Sequence, residues 1–146
     1  MINDSIKVTG ELKLTLTRPD GYVKHEVIIP NLVVTTGKSH IASRMKDASA
    51  TAMSHMAIGT GSTAAAAGNT ALGSEAGRVA LTSTTVTNND VAYVATFPAG
   101  TGTGALTEAG IFNASSSGTL LCRTVFSVIN KASADTLGIT WTVSVN

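Results

Sequence analysis

The chain has 146 residues, and a chain of that order folds as one domain that buries roughly two thirds or more of the surface its unfolded form exposes, so a single core suffices. Ten Lys and Arg stand against nine Asp and Glu for a net charge of +1, and charged residues make up only 13% of the chain. The basic residues scatter from Lys7 to Lys131, which excludes the clustered cationic footprint with which a nucleic-acid binder neutralises phosphates. The single cysteine, Cys122, leaves no internal disulfide, and neither a leader-like N-terminus nor a run of about 18 apolar residues points to export or to a membrane.

Ile6, Val8, Leu12, Leu14 and Leu16 alternate with Lys7, Thr9, Glu11, Lys13, Thr15 and Thr17, the period of two expected of a strand with one face on a core. Residues 1–5 ahead of it read as a flexible arm. Its clean alternation makes this N-terminal strand a candidate for pairing with a neighbouring subunit. Arg18-Pro19-Asp20-Gly21 supplies turn chemistry, Pro presetting φ and Gly able to take a positive φ, so 22–29 reads as the return strand, ended by Pro30. Beyond Asn31-Leu32-Val33-Val34 lies the one good helix candidate, about 38–48, with Thr35 or Thr36 placed to cap it. Ile41, Ala42 and Met45 would form its apolar face, with Lys38, Arg44 and Lys46 outward. So short a helix must pack on a sheet.

Residues 47–53 read as a connector and 54–58 as a short strand ending at Gly59-Thr60-Gly61. The stretch 60–77 is rich in Gly and Ala without a hydrophobic period and reads as a long surface loop, the segment expected to be mobile or to contact a partner. Then come strands at 79–87, closed by Asn88-Asn89-Asp90, and at 91–97, with Val91, Tyr93, Ala95 and Phe97 on one face. Pro98 opens a flexible connection through Gly104. Strands at 106–112, 119–129 and 136–145 complete the set, the last alternating Leu137, Ile139, Trp141, Val143 and Val145 with polar or small residues. About eight turn-punctuated strands, one short helix and no βαβ alternation predict a mainly β protein: one antiparallel β-sandwich domain over 1–146, jelly-roll-like. Trp141 is expected to anchor its core.

Candidate chemistry is sparse. Gly37-Lys38-Ser39 looks like the end of a phosphate-binding loop, but the position that needs the earlier glycine is Leu32, so a plain helix start is the better reading. Gly59-Thr60-Gly61 lacks the third glycine of a dinucleotide fingerprint and reads as a strand-ending turn that needs positive φ. His25, His40 and His55 lack the close spacing of a zinc site, and no Gly-x-Ser-x-Gly elbow marks a serine nucleophile. Cys122, inside an apolar pattern, reads as a small buried hydrophobe. Glu108 is the one acidic residue inside an apolar strand, where an unpaired carboxylate is costly; structural pairing with Arg123 is favoured over catalysis. No catalytic, cofactor-binding or metal-binding residue is assigned, and the chain is not read as an enzyme.

The order of several motifs adds a resemblance. Asn31-Leu-Val-Val-Thr-Thr-Gly-Lys38 leads into Ile41-Ala-Ser-Arg44, followed by Met56-Ala-Ile-Gly-Thr-Gly-Ser-Thr63 and Thr70-Ala-Leu-Gly73. Thr107-Glu-Ala-Gly-Ile-Phe112, Gly118-Thr-Leu-Leu-Cys-Arg-Thr-Val-Phe126 and Asp135-Thr-Leu-Gly-Ile-Thr-Trp-Thr-Val143 close the series. From about Asn31 to the C-terminus the chain resembles small bacteriophage virion proteins described as capsid decoration or cement proteins, head fibres, and tail-fibre or collar components. The resemblance implies a decoration protein, made in the host bacterial cytoplasm, that sits on the outer capsid surface. There it would bind the major capsid protein and further copies of itself, with no cofactor, nucleic acid or membrane. As an alternative it admits a neck, tail-fibre or collar adaptor that binds neck or tail proteins; from another class, a carbohydrate-binding β-sandwich would need exposed aromatics. Exposure and flexibility nominate Met1, Ile2, Asn3, Asp4, Ser5, Thr60, Gly61, Ser62, Thr63, Pro98, Ala99 and Gly100 as partner-binding residues.

Overall fold

The alternating segments assemble into two five-stranded antiparallel sheets packed face to face in the computed structural model, which describes residues 5–46 and 50–146. The elements run β1 (Val8–Thr17), β2 (Val23–Pro30), β3 (Leu32–Val33), α1 (Thr35–Met45), β4 (His55–Gly59), β5 (Glu75–Ala80), β6 (Ser83–Thr87), β7 (Asp90–Phe97), β8 (Gly104–Phe112), β9 (Leu120–Lys131) and β10 (Thr136–Val145). Sheet A has the order β2-β1-β10-β7-β6 and sheet B the order β3-β9-β8-β4-β5. The hairpins β1–β2, β4–β5, β6–β7 and β8–β9 each lie within one sheet, and the chain crosses to the other sheet between them. The antiparallel sandwich is as the sequence predicts, with ten strands among the described residues where about eight were expected.

One added strand comes from 79–87, which divides between the sheets. Leu81 N–H donates to Ser54 O at 2.9 Å, beside β4, whereas the next residue, Thr82, donates to Val94 O of β7 at 2.7 Å. Val79 and Leu81 alternate in one phase and Val86 falls in the other, so the apolar pattern breaks at this crossing. The Arg18–Gly21 turn closes as expected: Gly21 N–H donates to Arg18 O at 2.9 Å with Gly21 at φ +87°.

Apolar faces of both sheets meet in the core. Leu12, Leu14, Leu16, Phe97, Leu137, Ile139 and Trp141 of sheet A face Met56, Ile58, Leu106, Ile111, Cys122 and Ile129 of sheet B. Trp141 is fully buried between its sheet neighbours Leu12 and Tyr93. Cys122 is buried too, and that burial pushes its thiol well above the usual value.

Two expectations fail on tertiary grounds. Strand β1 has no free edge for a neighbouring subunit: Leu12, for example, lies opposite Trp141 on one side and Ile29 on the other. Alternation reports which faces are wet, and a central strand alternates as cleanly as an edge strand. The helix begins at Thr35 rather than 38 and ends at Met45; of the predicted end, Asp47 and Ala48 lie outside the described residues. Neither threonine caps it, since the N-cap position is Val34 and Thr36 Oγ1 instead donates to Leu120 O at 2.9 Å. Its buried residues are Gly37 and His40, while Ala42 and Met45 are exposed.

Gly37 sets this rotation, because a Cβ there would collide with the Leu121 carbonyl of β9. A glycine lets the helix backbone lie directly on the strand, a contact no apolar stripe can announce. Gly37→Ala is therefore expected to push α1 off β9 and lower stability by about 1–3 kcal/mol, as overpacking does. Urea denaturation of the variant beside the parent chain measures it.

Candidate functional site

Strands β8 and β9 form the centre of sheet B, and their second face carries a separate small apolar cluster: Val34, Ala57, Phe112 and Leu120. Leu72, from the segment between β4 and β5, packs over it. Beside this cluster Glu108 and Arg123 are buried, their side chains 0% and 2% exposed. Arg123 Nε donates to Glu108 Oε1 at 3.1 Å, and Nη2 lies 2.9 Å from the same oxygen. The pairing expected from the lone acidic residue in an apolar strand is thus present.

The carboxylate does more than neutralise a guanidinium. Its Oε2 accepts the backbone N–H groups of Gly61 at 2.6 Å and Ser74 at 2.7 Å, and Oε1 accepts that of Gly73 at 2.7 Å. Arg123 reaches the middle of the same segment, donating through Nη1 to Asn69 Oδ1 and through Nη2 to Thr63 O, both at 3.0 Å. Thr107 Oγ1 adds a bond to Gly61 O at 2.8 Å. Of the 60–77 segment, which composition marks as one loose loop, residues 75–77 belong to β5, and 60–74 is clasped to sheet B at both ends and in the middle.

This clasp corrects the reading of Gly59-Thr60-Gly61. Neither glycine has positive φ. Both are needed for close approach, because a Cβ at Gly59 would meet Ser74 O and one at Gly61 would meet Glu108 Oε2. The chain must come this near for its amides to reach a buried carboxylate.

Four hydrogen bonds occupy the Glu108 oxygens, so the group works as a fixed anion around which backbone is organised. Burial alone would raise its pKa, but the bonds from Gly73, Ser74, Arg123 and Gly61 outweigh it and hold the carboxyl below its ordinary value. A carboxyl depressed in the folded state stabilises fully above its unfolded pKa, and the contribution is lost as pH falls through the folded one. Chemical denaturation repeated from neutral pH downward is expected to show stability falling below the ordinary carboxylate range. A Glu108→Gln chain should fall less steeply over the same window.

The nominated contact segments separate into two groups. Thr60, Ser62 and Thr63 are exposed and Gly61 is half-buried; Pro98, Ala99 and Gly100 are exposed. The second segment is also braced: Lys131, itself buried, donates from Nζ to Pro98 O at 3.0 Å, and Gly100 N–H donates to Ser133 O at 2.7 Å. Lys131 lies opposite Gly104 at one end of β8, the end toward which Thr107 holds Gly61. Both loops therefore flank one end of the sandwich. The Lys24–Asp135 ion pair, at 2.6 Å, closes that end, and Lys24 with the Ala132 N–H keeps the Asp135 carboxyl below its ordinary value. Ser5 is exposed at the opposite end, where Val8 lies beside Val145. The ten residues of β10 separate the two ends, about 30 Å at strand rise, and Met1, Ile2, Asn3 and Asp4 lie outside the described residues.

The remaining candidates stay apart. His25 lies on β2, His40 on α1, and His55 on β4 with Nδ1 2.8 Å from Ser54 Oγ. Among the described residues no three His, Cys, Asp or Glu side chains group to hold a metal, and no helix is long and apolar enough to cross a membrane. Lys38 of the Gly-Lys-Ser stretch is an exposed helical residue. No protein-family model, curated protein or solved structure matches this chain.

Proposed function

We propose that this protein is a bacteriophage structural protein: a capsid decoration, or cement, protein that binds the outer surface of the shell and ties neighbouring major capsid subunits together. The observation that carries the reading is the braced end of the sandwich, where 60–63 and 98–100 are presented together on loops fastened from below by Glu108, Arg123, Thr107 and Lys131. Loops already ordered lose little freedom on docking, so even uncharged contacts leave net affinity. Repetition over a symmetric shell then multiplies a modest single contact. The resemblance supports the same reading, since its Thr107–Phe112 and Gly118–Phe126 segments supply the hairpin that carries the clasp. Synthesised in the bacterial cytoplasm, the protein acts by binding rather than by turnover, with the major capsid protein and its own copies as partners.

Purified protein mixed with heads that lack it, and separately with tails, tests the proposal by co-sedimentation and by counting copies in particle images. Decoration expects saturation of the head lattice at many copies per particle. Binding restricted to a single ring at the neck or on tails would replace it with the adaptor reading. Selective retention on a glycan array, with neither heads nor tails bound, would point to a carbohydrate-binding module.

A further inference from the structure

The four outer strands of the two sheets are not alike. An open edge displays N–H and C=O groups that pair with another chain unless charge, proline, a bulge or short length prevents it. Strand β2 carries Lys24, His25 and Glu26 and ends in Pro30, β5 carries the Glu75–Arg78 ion pair, and β3 has two residues. Strand β6 has none of these protections. Its sequence, Ser83-Thr84-Thr85-Val86-Thr87, holds no charge and no proline, runs without a register shift along β7, and is exposed at all five positions.

The geometry of the hairpin says which groups are free. Strands β6 and β7 are joined through Asn88-Asn89, with Thr87 opposite Asp90. The pair that closes a two-residue hairpin exchanges both its hydrogen bonds, so Thr87, Thr85 and Ser83 bond inward to β7, and the N–H and C=O of Thr84 and Val86 point outward. The Thr84 and Val86 side chains lie on the face of β6 that lines a groove of about 450 Å³ with Met45, Val143 and Val145. Val86 is 70% exposed there.

We propose that β6 pairs antiparallel with β6 of a second copy about a twofold axis at Thr85, joining two A sheets into one. The strand is its own complement. In that register Thr84 of each copy meets Val86 of the other, Ser83 meets Thr87, and Thr85 meets Thr85, so every outward N–H finds a C=O and no like charges face each other. The same register covers Val86 and sets the two grooves side by side. A second copy fits this edge better than a charged partner strand, for which β6 offers no counter-charge. The pairing deepens the self-association in the proposed function but stands without the capsid: a protein that dimerises and ignores heads would keep this inference and lose that one.

The full chain, purified and followed by sedimentation equilibrium over a wide concentration range, should show a dimer of twice its 14.8 kDa mass. Val86→Lys, at an exposed position that leaves the core intact, should shift it to the monomer mass with an unchanged circular-dichroism spectrum. Thr85→Cys places two thiols across the axis in a non-hydrogen-bonded pair with Cα atoms about 4.5 Å apart, within disulfide range, so mild oxidation should yield a covalent dimer that reductant reverses. Cys122, buried, does not compete, and His25→Cys on β2 should stay uncrosslinked. A parent chain that is monomeric throughout overturns the proposal, as does a dimer indifferent to Val86→Lys or one in which Thr85→Cys does not crosslink.

Discussion

Glu108→Ala is expected to lower stability by about 3–5 kcal/mol, the range for breaking a buried ion pair by removing one partner. The loss has two parts. Arg123, 2% exposed, is left as a charge without its carboxylate, and the amides of Gly61, Gly73 and Ser74 lose their acceptor. For a chain of this size the melting temperature should fall by on the order of 10 °C. The two parts can be separated. Replacing the pair together, Glu108→Leu with Arg123→Met, removes the stranded charge but leaves the three amides unsatisfied, so it should recover only part of the loss. Hydrogen exchange gives the local signature: in Glu108→Ala the amides of Gly61, Gly73 and Ser74 should exchange well before those of β8 and β9. A variant that melts like the parent, with those amides still protected, would remove the clasp from this account and with it the rigid binding end.

Trp141→Ala should be as damaging by a different route. The indole is fully buried at the centre of sheet A, against the apolar side chains of sheet B. Truncating it removes transfer free energy and leaves a cavity, together about 3–5 kcal/mol. The loss should be global: protection against hydrogen exchange falls along β1, β7 and β10 together rather than in one loop. Trp141→Phe is expected to be much milder, because the indole N–H has no hydrogen-bond partner among the described residues and only volume is given up. Thermal melts and exchange data on both variants decide the matter. A Phe substitution as harmful as Ala would mean that the nitrogen has a role the packing does not explain.

Much of the fold was legible because its signals are local. The alternation in β1 and β10, the Arg18–Gly21 turn and the closing Asn88-Asn89 reported strands and reversals, since side-chain direction and turn dihedrals follow from neighbouring residues. Glu108 was legible for a related reason: a carboxylate in an apolar strand demands a partner wherever it lies. Less local features are not legible in this way. The apolar stripe of the helix predicts one buried face, whereas Gly37 orients it through contact with a strand more than 80 residues away in sequence. Composition marks 60–77 as a loose loop, whereas 75–77 pair as part of β5 and the order of 60–74 comes from Glu108, which lies 47, 35 and 34 residues from the three amides it holds.

By itself, then, the amino-acid order determined where most strands run, which face of β1 and β10 is buried, and that Glu108 and Arg123 would seek each other. Only the tertiary structure decided which strands are neighbours, and so that β1 is interior while β6 is left open among the described residues, and that two loops distant in sequence share one braced end. The physical reason lies in the backbone. Rows of N–H and C=O groups pair in the same way whatever side chains they carry, so a strand's pattern names its faces but not the strand beside it.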